Sequence, residues 1–463
     1  MDMAQTEHYG SAPLPKEKRT HKPATVIALS FLAVIVSGTI LLTLPFASRS
    51  GVSAGVLGAA FTATSATCVT GLVVFDTYLQ FNVFGQVVIL LLIQVGGLGL
   101  VTLTTFFNVA IGKRLGFKSM QLASESINTS DASQVRQLVK VVMQVAAIFE
   151  LAGAVLLGFV FVPQYGAEGI FISVFISISA FCNAGFDVFG RLGPFSSLVP
   201  YAHQPYVLLI VAALIVSGGL GFLVWQDIAE YRHKRHLRIH TKVVLLMTLI
   251  LIVGGTIGVA ALEWNNPRTL GPMNVPDKLV NALFQSITAR TAGFNSIDLA
   301  AMGNLTKLFM VLLMFIGAAP GGTGGGIKVT TMAVLCAAVI SVVQGRTDAV
   351  AFRRRIPQKT VYKSLAIFLL SALAVIVSSV TIFFNTGVET NELSSVFEAT
   401  SAFATVGLSV GVTAIMEPAA QIITMLTMFI GRVGPVSLAI SLSTYKDEGH
   451  NRAILPTADL TVG

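Results

Sequence analysis

Long apolar runs, separated by short basic links, dominate the chain of 463 residues. Runs long enough to span about 30 Å of hydrocarbon fall near residues 24–47, 83–110, 137–162, 205–225, 241–262, 304–343, 361–385 and 419–443. They predict eight membrane-spanning helices. The first run follows Lys16, Lys18, Arg19 and Lys22. It is too long for the apolar part of a cleaved signal and lacks a convincing small-residue cleavage site, so it reads as a retained first span.

Between paired runs lie short semi-polar segments, each ending in a glycine followed by Leu or Phe: Phe61–Leu72, Phe175–Phe186, Phe284–Phe294 (one residue shorter) and Phe397–Leu408. The glycines Gly71, Gly185, Gly293 and Gly407 are 114, 108 and 114 residues apart. Spacing of this kind marks internal duplication. Each unit reads as helix, half-length loop, helix, with its glycine on the same side, so the units are parallel copies and not the inverted repeats of many secondary transporters. The implied units are 24–110, 111–225, 226–343 and 344–445, flanked by tails 1–23 and 446–463. The expected fold is an all-α polytopic membrane protein of four parallel helix–pore loop–helix repeats. Eight transmembrane helices and four re-entrant pore helices would surround a central ion pore.

About ten helical residues cannot cross a bilayer but can descend halfway and return as extended chain. Non-helical backbone at that depth survives only where it lines a watery cavity or is buried in protein. Four such segments around one axis present rings of backbone carbonyls, which replace a cation's hydration shell. Glycine permits the backbone conformation and the close approach. Thr70, Thr291 and Thr405 are candidates for further oxygen ligands.

Composition agrees with a membrane protein. Hydrophobic residues make up 54% and charged residues 11% of the chain, against about 25% charged in an average soluble domain. Mean hydropathy is +0.78. Secreted, nucleic-acid-binding and disordered classes are poor fits. The net charge of +8 is distributed by side: 22 of the 30 Lys and Arg fall in the tails and in the links 111–140, 226–242 and 344–363. By the positive-inside rule these face the cytoplasm, as do both termini. Asp76, Glu168, Asp187, Glu263, Asp277, Asp298, Glu389, Glu392, Glu398 and Glu417 fall in or near the opposite connections. Singly they read as solvated loop residues; together they read as a vestibule that concentrates cations.

A second repeated feature follows each loop: Gly96-Gly97-Leu98-Gly99, Gly218-Gly219-Leu220-Gly221, Gly324-Gly325-Gly326-Ile327 and Gly431-Arg432-Val433-Gly434. For the first two, close helix packing through small residues accounts for the pattern. In the third, Pro320, Gly321, Gly322, Thr323, Gly324, Gly325 and Gly326 form a stretch through which a helix cannot persist. It reads as a flexible gate, with a rigid kink as the alternative. Gly321 to Lys328 has a superficial likeness to a phosphate-binding loop, but Ile327 intrudes before the lysine and no strand precedes it. Three basic residues, Arg290, Lys328 and Arg432, sit where charge is costly. Arg290 is expected to pair with Glu398 as bracing. Arg432 is placed to reach the glycine loop and bar cations. Glu150 is expected to pack against a polar neighbour.

Together these features resemble the Ktr/Trk/HKT superfamily of potassium transporters over residues 24–445, most closely the membrane-subunit (KtrB) type of bacterial Ktr systems. The resemblance implies potassium uptake, often sodium-dependent, across the bacterial plasma membrane, with K+ as the transported ion and a pore in each subunit of a homodimer. It assigns the selectivity filter, and hence K+ contacts, to Val69, Thr70, Gly71, Asn183, Ala184, Gly185, Thr291, Ala292, Gly293, Thr405, Val406 and Gly407. The gate falls on Pro320 to Lys328, with Arg432 as its partner. The superfamily also uses a cytoplasmic nucleotide-binding (KtrA-like) ring. No GxGxxG after a strand occurs here, so such a sensor would be a separate chain, and the basic links are candidate docking surfaces. Asp76, Asp187 and Asp298 follow three of the filters, while the fourth has no counterpart.

An ion-coupled solute transporter would show inverted repeats and a dedicated polar pocket, and neither is visible. A membrane enzyme would need nucleophiles, acid–base pairs or metal ligands within spans. The three cysteines Cys68, Cys182 and Cys336 form no CxxC pair. His8, His21, His233, His236, His240 and His450 fall in cytoplasmic segments, and His203 at an external edge. No cofactor is expected.

Overall fold

The computed structural model describes residues 23–99, 102, 135–346, 348–386 and 391–435. The N-terminal basic lead-in, most of the 111–140 link, Glu389 and the tail with Lys446 and Arg452 lie outside the described residues.

The first unit comprises α1 (Pro23–Thr43), the short α2 (Val56–Cys68), α3 (Thr77–Gln80) and α4 (Val83–Leu98). The second comprises α5 (Val135–Tyr165), the short α6 (Ala167–Phe181), α7 (Pro205–Gly219) and α8 (Phe222–Lys234). The third holds α9 (Ile239–Glu263), the short α10 (Val275–Thr288), α11 (Asn304–Phe315) and α12 (Val329–Val343). A small antiparallel hairpin, β1 (Val350–Ala351) with β2 (Arg354–Arg355), precedes α13 (Gln358–Phe384), the short α14 (Glu392–Ala404) and α15 (Pro418–Val433).

The polarity of this packing is the reverse of a soluble core. The short helices α2, α6, α10 and α14 carry many Ser and Thr yet lie almost wholly buried, each around a phenylalanine (Phe61, Phe175, Phe284, Phe397) that is at most 1% exposed. The long helices turn large aliphatic and aromatic side chains outward, among them Ile40, Phe159, Ile257 and Leu369. Such an exterior is stable only against lipid. The first helices of the four units, α1, α5, α9 and α13, are long and apolar enough to cross a membrane.

The second helices depart from the expected continuous spans. Helix α4 stops at Leu98, α7 at Gly219, α11 at Phe315 and α15 at Val433. After three of them the chain enters a positive-φ turn, at Gly99 (83°), Gly221 (87°) and Gly434 (93°). The 205–225 run is therefore two helices, and α7 and α8 meet at 91°. In the third unit the break widens into the loop 316–328, where Ile316 and Ile327 bridge. At Gly221 the neighbouring backbone lies too close for a side chain: a methyl there would sit 2.7 Å from the Pro320 carbonyl. The remainders of runs 83–110 and 419–443 fall outside the described residues, Thr102 apart.

Candidate functional site

The C-terminal ends of the four short helices converge. Each is followed by a left-handed residue, Val69 (φ 57°), Asn183 (58°), Thr291 (70°) or Thr405 (51°), and two residues later by a left-handed glycine. The residue between, Thr70, Ala184, Ala292 or Val406, is tied back by its amide to the preceding helix. Thr70 N donates to Ser65 O (2.8 Å), Ala184 N to Ser179 O (2.8 Å), Ala292 N to Thr288 O (3.0 Å) and Val406 N to Ser401 O (2.8 Å). Left-handed turns at non-glycine residues cost about 1–2 kcal/mol each. They persist here because a helix end holds every segment in the same shape.

The four segments close on one another. A methyl built on Gly71 would lie 2.5 Å from the Ala184 carbonyl oxygen, one on Gly185 2.7 Å from that of Ala292, and one on Gly293 2.5 Å from that of Val406. A methyl on Gly407 would meet the Thr70 carbonyl and complete the circle. The chain thus forms a ring of four backbone carbonyls, each against the neighbouring glycine. The hydroxyls behind the ring play two roles. Ser65 Oγ and Ser401 Oγ accept from Gly71 N (3.0 Å) and Gly407 N (3.1 Å). Ser179 Oγ and Thr288 Oγ1 donate to the carbonyls of Phe186 (2.7 Å) and Phe294 (2.6 Å).

Above the ring opens a cavity of about 310 Å³ that all four glycines line, together with Asp76, Asp187 and Asp298. Both Asp76 oxygens are engaged, by Leu79 N and Phe195 N (2.9 Å each). Asp187, two residues beyond Gly185, accepts from Phe189 N at 2.9 Å. Desolvation pushes its carboxyl up to about 7, opposed by the Phe189 amide and reinforced by the charge of Asp76. Several other acids of that end serve structure. Glu168 pairs with Arg191 (2.5 Å) and Asp277 with His203 (2.8 Å). Glu263 is buried and accepts from Asn266, Thr269, Gly303 and Thr306.

On the opposite side of the ring lies the loop 316–328, held by several units. Ala319 N donates to Gly219 O (3.0 Å), Thr323 N to Gly218 O (3.2 Å) and Phe222 N to Gly321 O (3.0 Å). Gly325 N donates to Thr405 Oγ1 at 3.0 Å, and a methyl on Gly324 would press 2.9 Å from Thr291 Cβ. The loop therefore abuts two ring segments directly. Thr405 Oγ1 is engaged by the loop, whereas Thr70 Oγ1 is buried without a partner. Asn183's amide, in the orientation that satisfies both its ends, donates to Ile215 O (3.1 Å) and Ala180 O (3.2 Å) and accepts from Thr291 Oγ1 (3.3 Å).

Of the three basic residues, Arg432 meets the loop as its position predicts. Its guanidinium donates to the carbonyls of Thr323 and Gly96, and at 3.4 Å to that of Gly97. Lys328 folds back on the loop, donating to Gly324 O at 2.7 Å. Arg290 and Glu398, expected as a bracing pair, have separate partners instead. Arg290 donates to Thr248 Oγ1 at 3.3 Å and its Nε has none. Glu398 accepts from Ser409 Oγ (2.6 Å), Val410 N (3.0 Å) and Thr413 Oγ1 (2.6 Å), all within its own unit. These local donors satisfy the carboxylate, so it has no need of a cation. Glu150 has the expected polar neighbour, Gln94.

Two details go beyond the small-residue packing expected of the first two glycine motifs. Gly96, Gly218 and Gly431 hold one place in the repeat: each packs on the carbonyl of the short helix beside it, at Thr67, Phe181 and Phe403. One position further on, Arg432 stands where the first two units carry Gly97 and Gly219. Both positions stand in the glycine motifs set side by side from the sequence, whereas the contacts they make do not.

A closed ring of backbone carbonyls inside membrane-length apolar helices is the construction of a membrane transport protein; it is not that of an enzyme. The chain belongs to the TrkH family of cation transport proteins, whose family model matches residues 5–452. It is 41% identical to the Ktr system potassium uptake protein B of Bacillus subtilis over 91% of this chain and 93% of that protein. It is 37% identical to the potassium/sodium uptake protein NtpJ of Enterococcus hirae over 96% of this chain and 99% of that protein. The crystal structure of the potassium transporter TrkH from Vibrio parahaemolyticus shares the fold, with a TM-score of 0.69 at 19% identity, over 93% of this chain and 86% of that one. The protein is a multi-pass membrane cation transporter.

Proposed function

We propose that this protein takes up potassium across the plasma membrane through a channel-like pore whose selectivity filter is the four-glycine ring. The observation that carries the reading is the closure of that ring, in which the carbonyls of Thr70, Ala184, Ala292 and Val406 each abut the glycine of the preceding unit, the first unit's carbonyl meeting the fourth unit's glycine. Four fixed carbonyl dipoles replace water around a partly dehydrated monovalent cation. The short helices act as pore helices, and their C-terminal ends direct negative dipole toward the ion. The acid-lined vestibule raises the local cation concentration at the outer mouth.

The loop 316–328 serves as the gate beneath the filter. Arg432 latches it by its bond to Thr323 and places a positive charge on the ion's route inward. Conduction requires the loop to leave Thr405 and Arg432 to release it. The chain works as a homodimer with both termini cytoplasmic. A separate nucleotide-binding ring docks on the basic cytoplasmic links and controls the loop. Sodium is either carried or required, in keeping with the Enterococcus relative's name.

Expression in a bacterium stripped of its own potassium uptake tests the proposal. Growth at low potassium should return with this chain and its regulatory partner, and the purified protein should pass potassium into liposomes. Absence of monovalent cation flux in liposomes would refute the pore and favour transport of another solute.

A further inference from the structure

A carboxylate near the middle of α5 has no part in the reading above. Glu150 lies between Ile148 and Leu151, which are 64% and 67% exposed on the apolar exterior, but its own side chain turns inward. Charged groups at membrane depth are costly and persist where partners hold them. Gln94 Nε2 on α4 donates to both Glu150 oxygens, at 3.0 and 3.1 Å. Among the described residues no Lys, Arg or His forms an ion pair with it.

Both members of this pair touch the residue that enters the second filter segment. Cys182 Sγ lies 3.6 Å from Gln94 Oε1 and 3.9 Å from Glu150 Oε1. A methyl on Gly97, one turn along α4 from Gln94, would sit 2.7 Å from the same sulfur. Ser177 Oγ donates to the Glu150 carbonyl at 2.7 Å, locking α5 to α6 at this level. Cys182 is thus clamped between two helices immediately before Asn183, whose left-handed turn presents Ala184 to the ring. Cys68, Arg290 and Ala404 hold the same place before the other three segments. Among the described residues none of them has a carboxylate hydrogen-bonded against it.

We propose that Glu150 is a positioning residue for ion discrimination: gripped by Gln94, it fixes Cys182 and so the Ala184 carbonyl in the ring. The inference rests on reading the ring as the selectivity filter. Because one Gln94 nitrogen donates to both Glu150 oxygens, a glutamine at 150 turns one of those acceptors into a donor facing it, and one of the two bonds is lost. Exchanging the two residues restores it in reverse.

The test is the potassium-to-sodium permeability ratio, from bi-ionic reversal potentials of the full chain in planar bilayers, with melting temperature followed in parallel. Glu150→Gln should lower the ratio by roughly fivefold, the factor one lost hydrogen bond carries. The double variant Gln94→Glu/Glu150→Gln should recover most of it. A lower melting temperature with an unchanged ratio would overturn the proposal, as would a double variant no better than the single one. Gly185→Ser separates the two levels. If it lowers the ratio and Glu150→Gln does not, only the positioning role falls. If neither does, the filter reading falls with it.

Discussion

Arg432 donates to the main-chain carbonyl of Thr323 and thereby ties α15 to the glycine loop. The same guanidinium holds the end of α4 through Gly96, so one side chain joins three units beneath the ring. Charge-assisted hydrogen bonds of this kind contribute about 1.5–3 kcal/mol each. Replacing Arg432 by alanine should shift the loop toward the open state and raise potassium flux in liposomes by about tenfold, the scale of one lost bond. Lysine keeps the charge but lacks the fork that spans two carbonyls, so Arg432→Lys should fall between. A flux equal to or below that of the unaltered protein in Arg432→Ala would count against the latch.

The Asp187 carboxyl, pushed up to about 7 by desolvation, should give the cavity above the ring a pH response. Its sign follows from the raised value: the group is neutral below about 7 and negative above it. Cation flux at low external potassium should therefore fall as external pH drops through about 7. Asp187→Asn should hold flux near the low-pH level at every pH. Flux measured on either side of that value at constant potassium checks this, and an unchanged profile in Asp187→Asn would assign any titration elsewhere.

Glu398 and Arg290 should behave as independent sites. Glu398→Ala abandons two hydroxyls and an amide inside the fourth unit and should cost about 2–4 kcal/mol of stability. Arg290→Met removes a single 3.3 Å hydrogen bond and an unpartnered Nε, and should cost less. A double-mutant cycle on unfolding in detergent should give a coupling below about 0.5 kcal/mol. Coupling above about 1.5 kcal/mol would restore the direct ion pair.

Much of this fold was legible because membrane insertion writes itself into composition and length. The apolar runs located the long helices, and the register of Gly71, Gly185, Gly293 and Gly407 located the four short segments that meet in the ring. The proline and glycines of 320–326 marked a break that the structure has. What was not legible depends on packing across units. The carbonyl of Thr70 meets Gly407 only once the first and fourth units have closed the circle. The breaks at Gly99, Gly221 and Gly434 were hidden because apolar residues continue past them, and hydropathy does not register a positive-φ turn. The Arg290–Glu398 pair failed for a related reason. Opposite charges at membrane depth invite pairing on paper, but Ser409 and Thr413 lie closer along the chain and saturate the carboxylate first.

Discrimination among ions is assigned to the carbonyl ring under the proposed function. The most direct test is competitive uptake of potassium and sodium into liposomes by the unaltered protein and by Gly71→Ser, Gly185→Ser, Gly293→Ser and Gly407→Ser. Each serine adds a side chain where the neighbouring carbonyl oxygen stands no more than 2.7 Å from the new atom. The unaltered protein should prefer potassium, and every one of the four variants should lose part of that preference. Preference retained in all four would place discrimination elsewhere and contradict the account.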